Sequence, residues 1–232
     1  MSQERSDGHG LSIKQIELGP MANYVYIIAD KETRKAVVVD PAWDIPGLLA
    51  ELDKEDLELT GALVTHYHPD HIGGDFQGHH IQGLTELLAE RPCKIWMHKA
   101  EAPYVQKQLG LTPADYVAAD GETTVDVGRI PIRLLHTPGH TPGSLCFLVG
   151  GHLVSGDTLF IGSCGRVDLP GSNPTDLYYS LNQKLKQLPD ETILLPGHNY
   201  SPERTSSIGQ EKANNPYMRF ESVESYLHAM GH

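Results

Sequence analysis

One design recurs in this chain and constrains it more than any other feature. An apolar run, read as a β-strand, stops at a polar residue suited to hold a metal ion. The densest case is Leu59 to Thr65 running into His66-Tyr67-His68-Pro69-Asp70-His71, followed by Gly73-Gly74. Three further segments follow the same plan: Leu134-Leu135-His136-Thr137-Pro138-Gly139 before His140, Leu153-Val154-Ser155-Gly156 before Asp157, and Leu194-Leu195-Pro196-Gly197 before His198. Glycine beside a ligand lets the backbone turn sharply and approach an ion closely. In an extended or turning segment, residues two apart point to one side, so His66 and His68 can serve one ion. Asp70 and His71 lie beyond the turn at Pro69 and can serve a second. Together these segments supply five His and two Asp. That suffices for two ions with three protein ligands each, sharing Asp157 as a bridge, and leaves a position for water. Imidazole and carboxylate suit zinc, iron and manganese.

The remaining pattern reads as α/β or α+β, with sheets covered by helices. Strands are expected at 13–18, 24–29, 35–39, 59–65, 94–98, 123–127, 130–136, 144–149, 152–155 and 193–195. Helices are expected at 45–54, 81–90, 100–108, 175–188 and 221–229, with 110–121 irregular. Residues 1–10 read as a flexible tail and 11–232 as a single domain.

Charge and cysteine content narrow the function. Lys+Arg number 18 against 30 Asp+Glu, a net charge of −12, which argues against a nucleic-acid or anionic-membrane partner. A small-molecule substrate is the expected partner, and the oligomeric state stays open, a dimer included. Cys93, Cys146 and Cys164 form neither a disulfide framework nor a four-cysteine zinc site. The N-terminal residues carry no apolar signal region and no stretch approaches a membrane span, so the cytoplasm is the expected compartment.

The string Thr65-His66-Tyr67-His68-Pro69-Asp70-His71, with Asp40 before it and His140, Asp157 and His198 after it, resembles the metallo-β-lactamase superfamily in its motif and residue order over about residues 11–215. The resemblance implies an αββα sandwich, the metallo-β-lactamase fold, with metals at one edge between two sheets. It implies that His66, His68 and His140 hold a first ion and Asp70, His71 and His198 a second, with Asp157 bridging. Asp40 is expected to orient the ligand loops from behind. Zinc is the first expectation for the two divalent ions, with iron or manganese as alternatives.

Within the superfamily, His71 disfavours true β-lactamases, which typically lack a histidine there. Acidic charge disfavours the RNA-processing members. Gly156-Asp157-Thr158-Leu159-Phe160 and Cys164-Gly165-Arg166-Val167-Asp168 resemble two glutathione-linked branches, glyoxalase II and the persulfide dioxygenases. Pro196-Gly197-His198-Asn199-Tyr200 matches an element of both. The helical C-terminal domain of glyoxalase II has no counterpart here. The favoured expectation is hydrolysis of a thioester such as an acylated glutathione by a metal-bound hydroxide, with Asp70 orienting the nucleophile. The alternative is oxidation of glutathione persulfide by O₂ at one Fe(II) held by His66, His140 and Asp157. Arg166, Tyr200 and Cys164 are the candidate substrate contacts. His79 and His80 read as part of a solvated loop, with a lid role the lesser alternative, inside a 75–93 insertion that can shape the substrate mouth, and His98, His136 and His152 read as structural.

Overall fold

The computed structural model describes residues 2–6 and 10–231. In chain order the strands and helices begin with β1 (Ser2–Ser6), β2 (Leu11–Leu18), β3 (Asn23–Asp30), β4 (Lys35–Val39), α1 (Ile45–Lys54), β5 (Glu58–Leu63) and α2 (Pro69–Ile72). They continue with β6 (Gly74–Phe76), β7 (His79–Ile81), α3 (Leu84–Glu90), β8 (Lys94–His98), α4 (Ala102–Leu109), β9 (Tyr116–Ala119), β10 (Thr124–Val127), β11 (Ile130–His136) and β12 (Leu145–Val149). The rest are β13 (His152–Gly156), β14 (Leu159–Phe160), β15 (Ser163–Cys164), α5 (Pro174–Tyr179), β16 (Ile193–Pro196), β17 (Ser206–Ser207), α6 (Ile208–Asn214) and α7 (Val223–Ala229). One sheet runs in the order β1-β2-β3-β4-β5-β8-β9 and the other β10-β11-β12-β13-β16-β17.

Period-two alternation builds the layers. In β3, Tyr24, Tyr26 and Ile28 face the second sheet and meet Ile132, Leu134, Phe147 and Val154. Their neighbours Val25, Ile27 and Ala29 face the other way, onto Leu48, Leu49 and Leu52 of α1, Leu84 and Leu87 of α3 and Val105 of α4. The second sheet repeats this with Leu135, Cys146, Leu153 and Leu194 against Leu177, Leu181, Ile208 and Tyr226. Three apolar layers therefore lie between four layers of structure, and the αββα sandwich follows. Helix α1 starts where Asp44 accepts a hydrogen bond from the Gly47 N–H, and it buries Ile45, Leu48, Leu49 and Leu52 at helical spacing.

Several local expectations are corrected. The tail expected over residues 1–10 is in part a strand: Ser2–Ser6 pairs antiparallel with β2, from Ser2 opposite Ile16 to Ser6 opposite Ser12. Met1, residues 7–9 (His9 with them) and His232 lie outside the described residues. The stretch 110–121 contains β9, which pairs parallel with β8. The loop carrying His79 and His80 is a small hairpin of β6 and β7, with both histidines exposed. The helix expected over 175–188 is α only through Tyr179, then widens to a π-turn at Ser180–Lys184 and tightens to a 3₁₀ turn at Leu185–Gln187. Helix α6 adds an element that the periodicity missed. Among the described residues no helix is long and apolar enough to cross a membrane.

Parallel pairing decides where the site lies. Strands β4 and β5 run parallel, as do β13 and β16. Their carboxyl ends, with that of β11, deliver Asp40, His66, Asp157, His198 and His140 to one edge of the sandwich. Crevices at the carboxyl ends of strands are common ligand sites in α/β folds.

Candidate metal centre

The structure brings all seven candidate ligands into one cluster. His66, His68 and His140 offer ligand atoms within 4.8 Å of one another, and so do Asp70, His71 and His198. Asp157 lies between the two groups. Its Oδ1 is 3.4 Å from His71 Nε2, and its Oδ2 is 3.4 Å from His198 Nε2 and 3.7 Å from His140 Nε2. Asp70 Oδ2 lies 3.3 Å from His71 Nε2 and 3.4 Å from His198 Nε2. A tetrahedral ion with ligands at about 2.1 Å separates them by roughly 3.4 Å.

The hydrogen bonds behind the rings set which nitrogen faces inward. The Thr65 hydroxyl is 2.6 Å from Asp40 Oδ2 and 2.9 Å from His66 Nδ1. A carboxylate only accepts, so the hydroxyl donates to Asp40 and accepts from His66 Nδ1–H. His71 Nδ1 donates to the same Asp40 oxygen at 2.9 Å. His140 Nδ1 donates to the Arg166 carbonyl at 2.8 Å and His198 Nδ1 to the Met21 carbonyl at 2.9 Å. Each of these four imidazoles therefore turns Nε2 toward the cluster. His68 differs and presents Nδ1, 3.0 Å from His140 Nε2.

This arrangement fits cations. His66 Nε2 and Asp157 Oδ1 are buried with no hydrogen-bond partner among the described residues. Such atoms are costly unless something positive meets them. Burial, reinforced by the neighbouring His71 and His68, holds His66 well below the usual imidazole range, so its inward nitrogen carries a free lone pair. Burial and His140 bring His68 down to about 4. Burial alone would raise the Asp157 carboxyl, but the His71 and His198 imidazoles override it and hold it well below the carboxylate range. Burial likewise opposes charge on His71, yet Asp70 and Asp157 raise it well above an ordinary imidazole. A proton and a metal cation are alternatives at His71 Nε2, so an ion bound there would release that proton. Asp40 also lies near His66 and His71, but it meets the outward Nδ1 of His71 directly and that of His66 only through the Thr65 hydroxyl, so it backs both rings from behind the cluster.

Close backbone approach explains two glycines. A Cβ on Gly197 would sit 2.4 Å from Asp157 Oδ1. Gly156 has φ +49°, and a side chain there would meet Thr65 at 2.6 Å.

The structure adds residues that the motifs did not single out. Asn23 Nδ2 donates to Asp70 Oδ2 at 2.9 Å, while Trp43 Nε1 donates to Asn23 Oδ1 at 3.0 Å. Glu101 is fully buried, and its carboxylate takes the Tyr67 N–H at 2.7 Å and the Gly143 N–H at 2.6 Å. It ties the His66–His71 loop to the His140 loop. Thr65 could have been noticed from its place beside the motif; Asn23 and Glu101 carry no sequence signal.

The candidate substrate contacts divide. Tyr200, 60% exposed, stacks on His198 with ring centroids 4.6 Å apart. Arg166 also lines the cavity, but its guanidinium is turned to Asp168, with Nε–Oδ1 2.7 Å and an Nη2–Oδ2 distance of 2.8 Å. Its backbone carbonyl is what touches the cluster, through His140. Cys164 is buried at the cavity wall near the Tyr226 hydroxyl, and burial pushes its thiol up to about 12. His98 and His136 stack on each other, 3.8 Å apart, and belong to neither ligand group.

Comparison with known proteins places the fold and site in one family. The family model of the metallo-beta-lactamase superfamily matches residues 18–198, and the chain belongs to that superfamily. A probable polyketide biosynthesis zinc-dependent hydrolase of Bacillus velezensis is 31% identical over 207 residues, spanning 89% of this chain and 86% of the relative. Human mitochondrial persulfide dioxygenase ETHE1 is 30% identical over 234 residues, spanning 100% and 85%. A probable hydroxyacylglutathione hydrolase of Schizosaccharomyces pombe is 30% identical over 248 residues, spanning 91% and 88%. The crystal structure of ETHE1 from Myxococcus xanthus superposes with a TM-score of 0.79 at 31% identity, covering 94% of this chain and 89% of that one.

Proposed function

We propose that this protein is a metal-dependent thioester hydrolase. The observation that carries the reading is the doubled ligand set: two groups of three inward-facing atoms with Asp157 between them. His66, His68 and His140 would hold one divalent ion, and Asp70, His71 and His198 the other, with Asp157 shared. Ions held by these residues would supply a coordinated water of near-neutral pKa and polarisation of an adjacent carbonyl. Zinc is the favoured metal, which the name of the Bacillus relative supports.

The chain's own groups supply the rest. Asn23 holds Asp70 by its Oδ2, so the carboxylate is fixed to orient the attacking water and accept its proton. Water adds to the carbonyl carbon, the C–S bond breaks, and the sulfur departs with its electron pair. A thiol of pKa about 8.5 leaves as thiolate without a strong general acid. The aromatic cavity wall limits competing water around the reacting carbonyl.

A second reading, persulfide oxidation by O₂ at a single iron, is supported by the ETHE1 relatives. There His66, His140 and Asp157 would be the ligands. Metal analysis combined with two assays separates the readings. About two ions per chain and cleavage of S-lactoylglutathione or another thioester support the hydrolase. One iron per chain, with O₂ uptake driven by glutathione persulfide and no thioester cleavage, overturns it.

A further inference from the structure

We infer that the cavity selects a thioester with an aromatic acyl arm on an uncharged thiol, and disfavours glutathione conjugates. This rests on the thioester reading above and specifies the substrate class. The cavity over the ligand cluster has a volume of about 670 Å³, ample for a substrate of drug-like size.

Its walls are aromatic at both ends of the cluster. At the His68 end, Tyr67 stacks flat on Tyr104, centroids 4.2 Å apart and planes 9° apart. Tyr67 also sets its ring 4.9 Å from His68. Its hydroxyl donates to the Pro170 carbonyl at 2.9 Å, which fixes the ring and uses its donor. At the His198 end, Phe160 meets Tyr200 edge to face at 5.4 Å, and both lie against His198. Phe76, from the β6–β7 hairpin, adds a further ring to the lining.

Charge is the other half of the argument. Among the described lining residues the only Lys or Arg is Arg166, already held by both oxygens of Asp168. Glutathione carries two carboxylates and one ammonium. One carboxylate would compete with Asp168 for the guanidinium, and the other would find no further Lys or Arg among the described lining residues. A chain of net charge −12 adds no attraction for an anion. An aryl group loses nothing by the same contact. Burying on the order of 100 Å² of aryl surface at roughly 25 cal/mol per Å² favours it by about seventyfold.

The test uses the metal-loaded enzyme. Hydrolysis of S-phenylacetyl-N-acetylcysteamine is compared with that of S-lactoylglutathione. The expected kcat/KM is about seventyfold higher for the aryl substrate, and Tyr104→Ala cuts that ratio several-fold. Equal kcat/KM values, or a preference for S-lactoylglutathione, overturn the inference. Binding of the uncleavable thioethers S-benzyl-N-acetylcysteamine and S-methylglutathione is measured alongside by calorimetry. Tighter binding of the benzyl compound with neither thioester cleaved removes the hydrolase reading and leaves the selectivity standing. Tighter or equal binding of S-methylglutathione, or no binding of either, overturns the selectivity itself.

Discussion

Replacing Glu101 with Gln tests the clasp between the two ligand loops. Glu101 is fully buried, and its carboxylate accepts hydrogen bonds from the Tyr67 and Gly143 N–H groups. Burial pushes its carboxyl up to about 7, and the donated hydrogen bonds from Gly143 and Tyr67 keep it from rising further. The unfolded chain titrates this group near 4.5. Between those values the folded protein binds the proton more tightly than the unfolded one. Stability from Glu101 is therefore fully present below about 4.5 and is lost as pH rises through about 7. At about 1.4 kcal/mol per pH unit, the interval amounts to roughly 3 kcal/mol. Gln does not titrate. Urea unfolding of the chelated protein, wild type and Glu101→Gln, from pH 4.5 to 8 isolates the effect, because the histidines cancel in the difference. The stability of wild type relative to the variant should fall by about 3 kcal/mol across that range. Parallel curves for the two proteins would refute a buried, high-pKa carboxyl at this position.

Three further outcomes are expected. Asp157→Ala should remove the shared carboxylate, so metal content by mass spectrometry and thioester turnover should collapse together; two ions retained with full turnover would contradict the ligand assignment. Thr65→Val deletes the hydroxyl joining His66 Nδ1 to Asp40 Oδ2 and should weaken metal affinity about 10- to 100-fold, read by chelator competition. Chelation with EDTA should lower the melting temperature by on the order of 10 °C, since ions bound a thousandfold above Kd stabilise the fold by about 4 kcal/mol. An unchanged melting temperature would sink the idea that His66 Nε2 and Asp157 Oδ1, buried without hydrogen-bond partners among the described residues, meet bound ions.

Much of the fold was legible because its signals are local. The continuous apolar run in residues 24–29 and the leucine spacing in 45–54 both correspond to observed elements with nearly the same bounds. Strand β9 was not legible, because Tyr116–Ala119 is short and partly exposed and is held by pairing to β8. Ser2–Ser6 was missed for a related reason: it is an edge strand whose order comes from hydrogen bonds to β2. Helix α5 gives way to a π-turn at Ser180–Lys184, a departure that the helical spacing did not disclose.

The candidate site divides along the same line. The ligand types, their order and the glycines beside them are properties of the sequence, because strand ends and Gly-bounded turns are local. Only the tertiary structure decides which nitrogen of each ring faces the cluster. Those choices come from carbonyls and a carboxylate far away in the chain: Met21 for His198, Arg166 for His140, Asp40 for His71 and, through Thr65, for His66. Glu101 shows the limit most clearly. Nothing beside it in the sequence singles it out, yet the packing of α4 buries it against two loops from different sheets. Arg166 shows the reverse, a cation whose guanidinium is held by its near neighbour Asp168 while its carbonyl holds a ligand. The sequence determines which groups are available to bind an ion. The packing of two sheets determines which atoms of those groups point inward, because hydrogen-bond partners distant in sequence meet only when the sandwich closes.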